Sequence, residues 1–173
     1  SMSGRGETEL RAAMRTLLDQ NIAAKYLLQG HPDDVSAVVL FNDLVINFNE
    51  LEQYTVEGNN VEALRDLYLR VERQSAGGGT NIFGAALTAF QYLEKARTEE
   101  CLPSVIVMTD GRDGGGQYNL LENYVNRSGG DIPIFAITFA DADPEQLRPL
   151  TTLTGSIRII CLMWGLTVLR LNS

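Results

Sequence analysis

Apolar residues along the chain fall into two kinds of run, one repeating with a helical period and one nearly continuous, and the two kinds alternate. In residues 7–28, Leu10, Ala13, Met14, Leu17, Leu18, Ala24 and Leu28 recur close to every 3.6 positions, which predicts an amphipathic helix with one buried face. Gly30-His31-Pro32-Asp33-Asp34 interrupts it, and Ser36-Ala37-Val38-Val39-Leu40-Phe41 then reads as a short apolar strand. Leu44, Ile46 and Phe48 alternate with Val45 and Asn47. With Asn42-Asp43 ahead of them, residues 44–48 are expected to form a hairpin with the preceding strand.

Val61, Leu64, Tyr68 and Val71 mark a second helix, and Ile82, Ala86, Ala89, Phe90 and Leu93 a third. Leu120, Leu121, Tyr124 and Val125 give a short fourth, and residues 145–153 a further short one. Between them, Ser104-Val105-Ile106-Val107-Met108 and residues 133–139 are almost unbroken apolar runs, as in strands buried on both faces. Residues 157–162 are the last clear strand candidate. This alternation predicts an α/β fold, a doubly wound and mostly parallel sheet flanked by helices. No internal repeat, linker or low-complexity stretch interrupts it.

The length of 173 residues suits one domain, and 45% hydrophobic with 21% charged residues is ordinary for a globular protein. A formal net charge of -8 and the lack of a Lys/Arg cluster argue against nucleic acid as a partner. An acidic surface suits divalent cations and basic partners. Cys101 and Cys161 have no metal-ligand spacing, and each lies in or beside an apolar run, as small buried thiols do. No signal-peptide pattern is present at the start, and the uncharged run 159–169 is shorter than the ~20 residues that span a bilayer.

In open α/β sheets, ligands gather beyond the carboxyl ends of the strands. Asp110 stands there, directly after a strand, and Thr80 lies in the glycine-rich loop entering the third helix. A carboxylate and a hydroxyl among glycines make a hard-oxygen site for Mg²⁺ or Mn²⁺, with Ca²⁺ as a further candidate. The same residues also read as a plain Thr-Asp-Gly turn and a capped helix start. Asp113, Asp141 and Asp143 read as loop residues near the strand ends. His31, the single histidine, sits in a loop, and no Ser-His-Asp set can be built around it.

Ala76-Gly77-Gly78-Gly79-Thr80-Asn81-Ile82 and Val105-Ile106-Val107-Met108-Thr109-Asp110-Gly111 resemble the second and third site segments of a von Willebrand factor type A domain. Pro133-Ile134-Phe135-Ala136-Ile137-Thr138-Phe139, with Asp141-Ala142-Asp143 and Leu153-Thr154-Gly155, resembles that family's next strand and helix. The resemblance covers residues 1–156. It implies a metal ion-dependent adhesion site, at which an acidic oxygen of a protein partner completes the coordination of the metal. By position, it makes Thr80 the hydroxyl ligand and Asp110 the distal carboxylate, with Ser1 and Ser3 as candidates for the site's first segment. That segment is Asp-x-Ser-x-Ser at the end of a central strand, and Ser1-Met2-Ser3-Gly4 matches only its tail. Weakened or lost metal binding is therefore expected. The family occurs inside and outside cells, and its bacterial members often belong to larger envelope or stress proteins.

Residues 157–173 depart from the family's final strand and helix and form an unusually β-prone apolar stretch, split by Gly165. Two readings stand: residues 166–171 fill the vacant central strand position, within the chain or by exchange with a second copy, or the stretch packs without a set place. Functionally, a protein-binding module is expected and not an enzyme. The alternatives are a metal-free assembly scaffold and a phosphoryl-transfer enzyme, and for the latter Gly77-Gly78-Gly79-Thr80 lacks the lysine of a phosphate-binding loop.

Overall fold

The computed structural model describes residues 4–75, 77–96, 102–128, 131–139 and 143–155, and the backbone of 158–160. Ser1, Ser3, Cys101, Asp141, Cys161, Trp164 and residues 166–171 lie outside the described residues. The first helix, α1, covers Arg5–Leu18 and carries the i,i+4 ion pairs Arg5–Glu9 (2.8 Å) and Glu7–Arg11 (2.6 Å). It stops where the apolar period alone would have carried it on. Asp19 adopts an extended conformation, and its carboxylate accepts the N–H groups of Asn21 and Ile22. That capping starts a separate short helix, α2 (Gln20–Ala23), followed by a 3₁₀ turn at Ala24–Tyr26.

Strand β1 (Val35–Ala37) pairs antiparallel with β2 (Thr55–Glu57), so its regular partner is not the run at residues 44–48. The expected hairpin survives only as the bridge Phe41–Val45, with Ile46 N–H donating to Leu40 O at 2.9 Å. Asn42 shortens it: its Oδ1 accepts Leu44 N–H at 2.8 Å and closes the turn on itself. The chain then winds into a 3₁₀ helix over Phe48–Tyr54 and reaches β2 from there.

Helix α3 (Val61–Glu72) is capped by Asn60, whose side chain accepts Ala63 N–H. Next come α4 (Ile82–Ala96), β3 (Val105–Thr109), α5 (Tyr118–Ser128) and β4 (Ile134–Thr138). A 3₁₀ turn at Pro144–Leu147 leads into α6 (Arg148–Leu153), and β5 (Arg158–Ile160) follows. The strands β3-β4-β5 lie side by side in chain order, all parallel, with Val105 opposite Ile134 and Ala136 opposite Arg158. Helical crossovers between parallel neighbours are the α/β architecture predicted by the alternation of elements.

Two apolar clusters form among the described residues. The larger joins Ile82, Phe83, Ala86 and Phe90 of α4, Val105 and Val107 of β3, Leu121 and Val125 of α5, and Leu147 and Leu150 beneath β4. The smaller joins Leu18 of α1 to Leu64 and Leu67 of α3, with Met14, Val38 and Val56 packed against it. An open groove of about 890 Å³ runs between them, lined by Leu10, Met14 and Val39 on one side and by Ala86, Ala89 and Ile106 on the other. No helix among the described residues is long and apolar enough to cross a membrane.

Candidate metal and ligand site

The carboxyl end of β3 opens onto the upper end of this groove, which Glu7, Gly79, Thr80, Thr109 and Asp110 also line. Asp110 follows the buried Thr109, the last residue of the β4 ladder, and is held half-buried. Its carboxylate packs against the backbone of Gly6 in the first turn of α1, so closely that a Cβ there has no room. Burial raises the Asp110 carboxyl above the usual carboxylate range, and the nearby Glu7 carboxylate adds to the rise.

Thr80 meets Asp110 through its neighbour. A Cβ built on Gly111 would stand 2.6 Å from Thr80 Oγ1, so the threonine hydroxyl lies against the backbone that immediately follows the aspartate. The loop that presents Thr80 is fastened from both sides. From the hairpin turn, Asp43 Oδ1 accepts Gly79 N–H at 2.7 Å, and Asn42 O accepts Asn81 N–H at 2.8 Å. From the glycine loop, Gly114 N–H donates to Thr80 O at 2.7 Å. The backbone on both sides of Thr80 is thereby fixed.

Asp113 holds the two loops together. Its Oδ1 accepts the N–H groups of Ile82 (2.7 Å) and Phe83 (3.3 Å) at the start of α4, and its Oδ2 accepts Gly116 N–H at 3.0 Å. Asp113 N–H in turn donates to Gln146 Oε1 at 2.8 Å. The sequence reading left Asp43 and Asp113 as turn residues. Their partners lie 36 and 31 positions away, beyond any local pattern. The Asx-type residues beside the glycines were the one available signal. Asp143 caps its own 3₁₀ turn through Glu145 N–H (3.0 Å) and stands 3.8 Å from Arg112. His31 is exposed beside Asp33 and Asp34 and is not among the residues that line the groove.

The structure therefore brings Thr80 and Asp110 to one end of one groove, while Ser1 and Ser3 lie outside the described residues. No group of three His, Cys, Asp or Glu side chains able to hold a metal occurs among the described residues. The donors at this end of the groove among the described residues are the Asp110 and Glu7 carboxylates, the Thr80 hydroxyl and backbone oxygen. That composition suits a hard cation which keeps several waters, and it does not suit a soft metal.

The chain matches the family model described as von Willebrand factor type A domain over residues 1–159. Among solved structures it is similar to a protein described as von Willebrand factor type A from Catenulispora acidiphila, with 18% identity and a TM-score of 0.66. That likeness covers 92% of this chain and 36% of the other, so the chain spans about a third of that protein's length. No curated protein matches the chain.

Proposed function

The chain belongs to the von Willebrand factor type A domain family, and we propose that it serves as a protein-binding module whose contact point is the carboxyl end of β3. Thr80 and Asp110 would hold Mg²⁺ or Mn²⁺ there, with Ca²⁺ the third choice and with the Ser1 and Ser3 hydroxyls as added donors. The bound cation supplies an open position for an acidic side chain of the partner. Asp110 would receive the cation by charge and Thr80 by a hydroxyl on a loop whose backbone is fastened, and the glycine backbone leaves room for approach.

One observation carries this reading: a half-buried carboxylate whose pKa burial raises, with a threonine hydroxyl packed against the backbone that follows it, at a groove mouth. Burial of a carboxylate charge is unfavourable, and a divalent cation offsets that cost directly. The specific observation favouring the metal-free scaffold reading is that no group of three His, Cys, Asp or Glu side chains able to hold a metal occurs among the described residues.

The test is thermal unfolding with millimolar Mg²⁺ or Mn²⁺ against chelator, for the natural chain and for Asp110→Ala. A cation at about 100 times its Kd adds roughly 2.7 kcal/mol, which for a domain of this size raises Tm by about 5–10 °C. With the site's first segment incomplete, a smaller rise is expected for this chain, and none for the variant. A Tm that the cation leaves unchanged in the unsubstituted chain as well as in the variant would leave the scaffold reading in its place.

A further inference from the structure

Gly6 stands in the first turn of α1, buried, with a helical backbone that alanine also adopts. Glycine in a helix is less favourable than alanine, because it gives up more backbone freedom on folding. Conformation therefore does not require a glycine here, but the surroundings do. A Cβ built on Gly6 would run into Asp110 Oδ2 and would stand 2.8 Å from Asp110 Cβ and 2.9 Å from Asp110 Cγ.

The kind of atom in the way decides what relief costs. At Gly111 that atom would be Thr80 Oγ1 at 2.6 Å, with Thr80 Cβ at 3.5 Å, so a turn of the threonine side chain clears it. At Gly6, rotation of the Asp110 side chain moves Oδ2 and Cγ but leaves Cβ where the backbone puts it. None of the other described glycines would bring a Cβ so close to another residue's Cβ. Ordinary contact begins near 3.4 Å, so two backbones would have to part by about 0.6 Å.

Neither backbone yields easily. Asp110 follows Thr109, which is buried at the end of the β3–β4 ladder and whose carbonyl accepts Phe139 N–H at 3.0 Å. On the other side, Leu18 of α1 is packed with Leu64 and Leu67 of α3, and Arg11 donates to the carbonyls of Glu72 and Gln74. We propose that Gly6 is a positioning residue: its missing side chain sets the spacing between the first turn of α1 and the end of β3, and so fixes where the Asp110 carboxylate stands relative to Thr80.

The spacing bears on more than one donor. Glu7, the next residue of α1, lines the same end of the groove as Asp110, so a retreat of α1 separates the two carboxylates. Mg²⁺ holds its oxygens at about 2.0–2.1 Å in near-octahedral order, and a displacement of this size is large on that scale. The consequence for a cation rests on the reading of Thr80 and Asp110 as its ligands. The spacing itself rests on the Gly6–Asp110 contact alone.

Thermal unfolding in chelator tests it in the unsubstituted chain, Asp110→Ala and Asp110→Gly, each with and without Gly6→Ala. Gly6→Ala is expected to lower Tm by roughly 2–10 °C in the unsubstituted chain, and still to lower it in Asp110→Ala, which keeps the Cβ. In Asp110→Gly, which removes that Cβ, Gly6→Ala is expected to raise Tm, as the change ordinarily does in a helix. A rise in the unsubstituted chain, or one and the same shift in all three backgrounds, overturns the proposal. A Mg²⁺ titration followed by Tm reads the positioning. Gly6→Ala is expected to raise the apparent Kd at least about tenfold, while Tyr124→Phe, a substitution away from the site, leaves it unchanged. An unchanged Kd in Gly6→Ala overturns the positioning role. No response to Mg²⁺ in the unsubstituted chain overturns the cation reading instead, and the sign of the shift in Asp110→Gly then decides the spacing.

Discussion

Asp110 is a carboxylate that burial and the Glu7 charge hold above its ordinary pKa, and this has a pH signature. Because its folded pKa exceeds its unfolded one, the folded state binds the proton more tightly. The stabilising contribution is full below the unfolded value and is lost as pH rises through the raised folded value. At neutral pH and without metal, the charged side chain therefore weakens the fold. Asp110→Asn is expected to raise Tm at pH 7 in chelator, to lose that advantage below pH 4, and to abolish the response to Mg²⁺. A lower Tm at pH 7 in chelator would show that the charge is already compensated. Among neighbouring residues, Asp113 acts without facing the groove: three backbone N–H groups from two loops converge on its carboxylate. Its contribution is the alignment of α4's first turn, which carries Ile82 and Phe83 into the larger cluster.

At the level of elements, α4 and α5 are tied by both packing and polarity. Phe90 and Tyr124 meet edge to face with ring centroids 6.3 Å apart, and the Tyr124 hydroxyl donates to Glu94 Oε2 at 2.5 Å. That bond to the carboxylate is the main cause raising the Tyr124 pKa. Tyr124→Phe keeps the ring and removes only the bond. It is expected to cost about 1 kcal/mol, seen as a Tm fall of about 2–4 °C, with no effect on any response to cations. Elements set by their own pattern were legible in the sequence. Helices α3, α4 and α5 follow their apolar period, and β3 and β4 follow their unbroken apolar runs. Less legible were breaks made by a single side chain, as where Asp19 caps a new helix inside a continuing period. Pairings between distant short segments were also hidden: β2 is three residues long and its partner lies 20 positions away. At the site, Thr80 and Asp110 could be read from glycines and a strand end. Asp43, which fastens the loop, could not, because its role exists only once the hairpin turn folds over Gly79.

For the molecule as a whole, the two clusters differ greatly in size. The one built on α4, β3, α5 and β4 contains thirteen buried residues, and the one between α1 and α3 contains three. Burial per residue sets the free energy of local opening, so the fold should not open as one unit. Native-state amide exchange is expected to find α1 and α3 opening at lower free energy than α4, β3 and β4. Equal protection across both groups would mean that a single cooperative core spans the groove. Arg11 opposes the separation: its guanidinium donates to the carbonyls of Glu72 and Gln74 at the end of α3 and tethers α1 there.

The chain-order arrangement of β3-β4-β5 also sets a timetable for synthesis. Val105 pairs with a residue 29 positions later, and Ala136 with one 22 positions later, so this half can close by short loops as it leaves the ribosome. The half bearing α1 and α3 emerges first, with only its small cluster to settle on. At roughly 5–20 residues per second, the 83 residues between Glu72 and Gly155 take about 4–17 s to follow. During that interval Leu18, Leu64 and Leu67 have no larger core beside them, and the nascent chain is at its most dependent on chaperones.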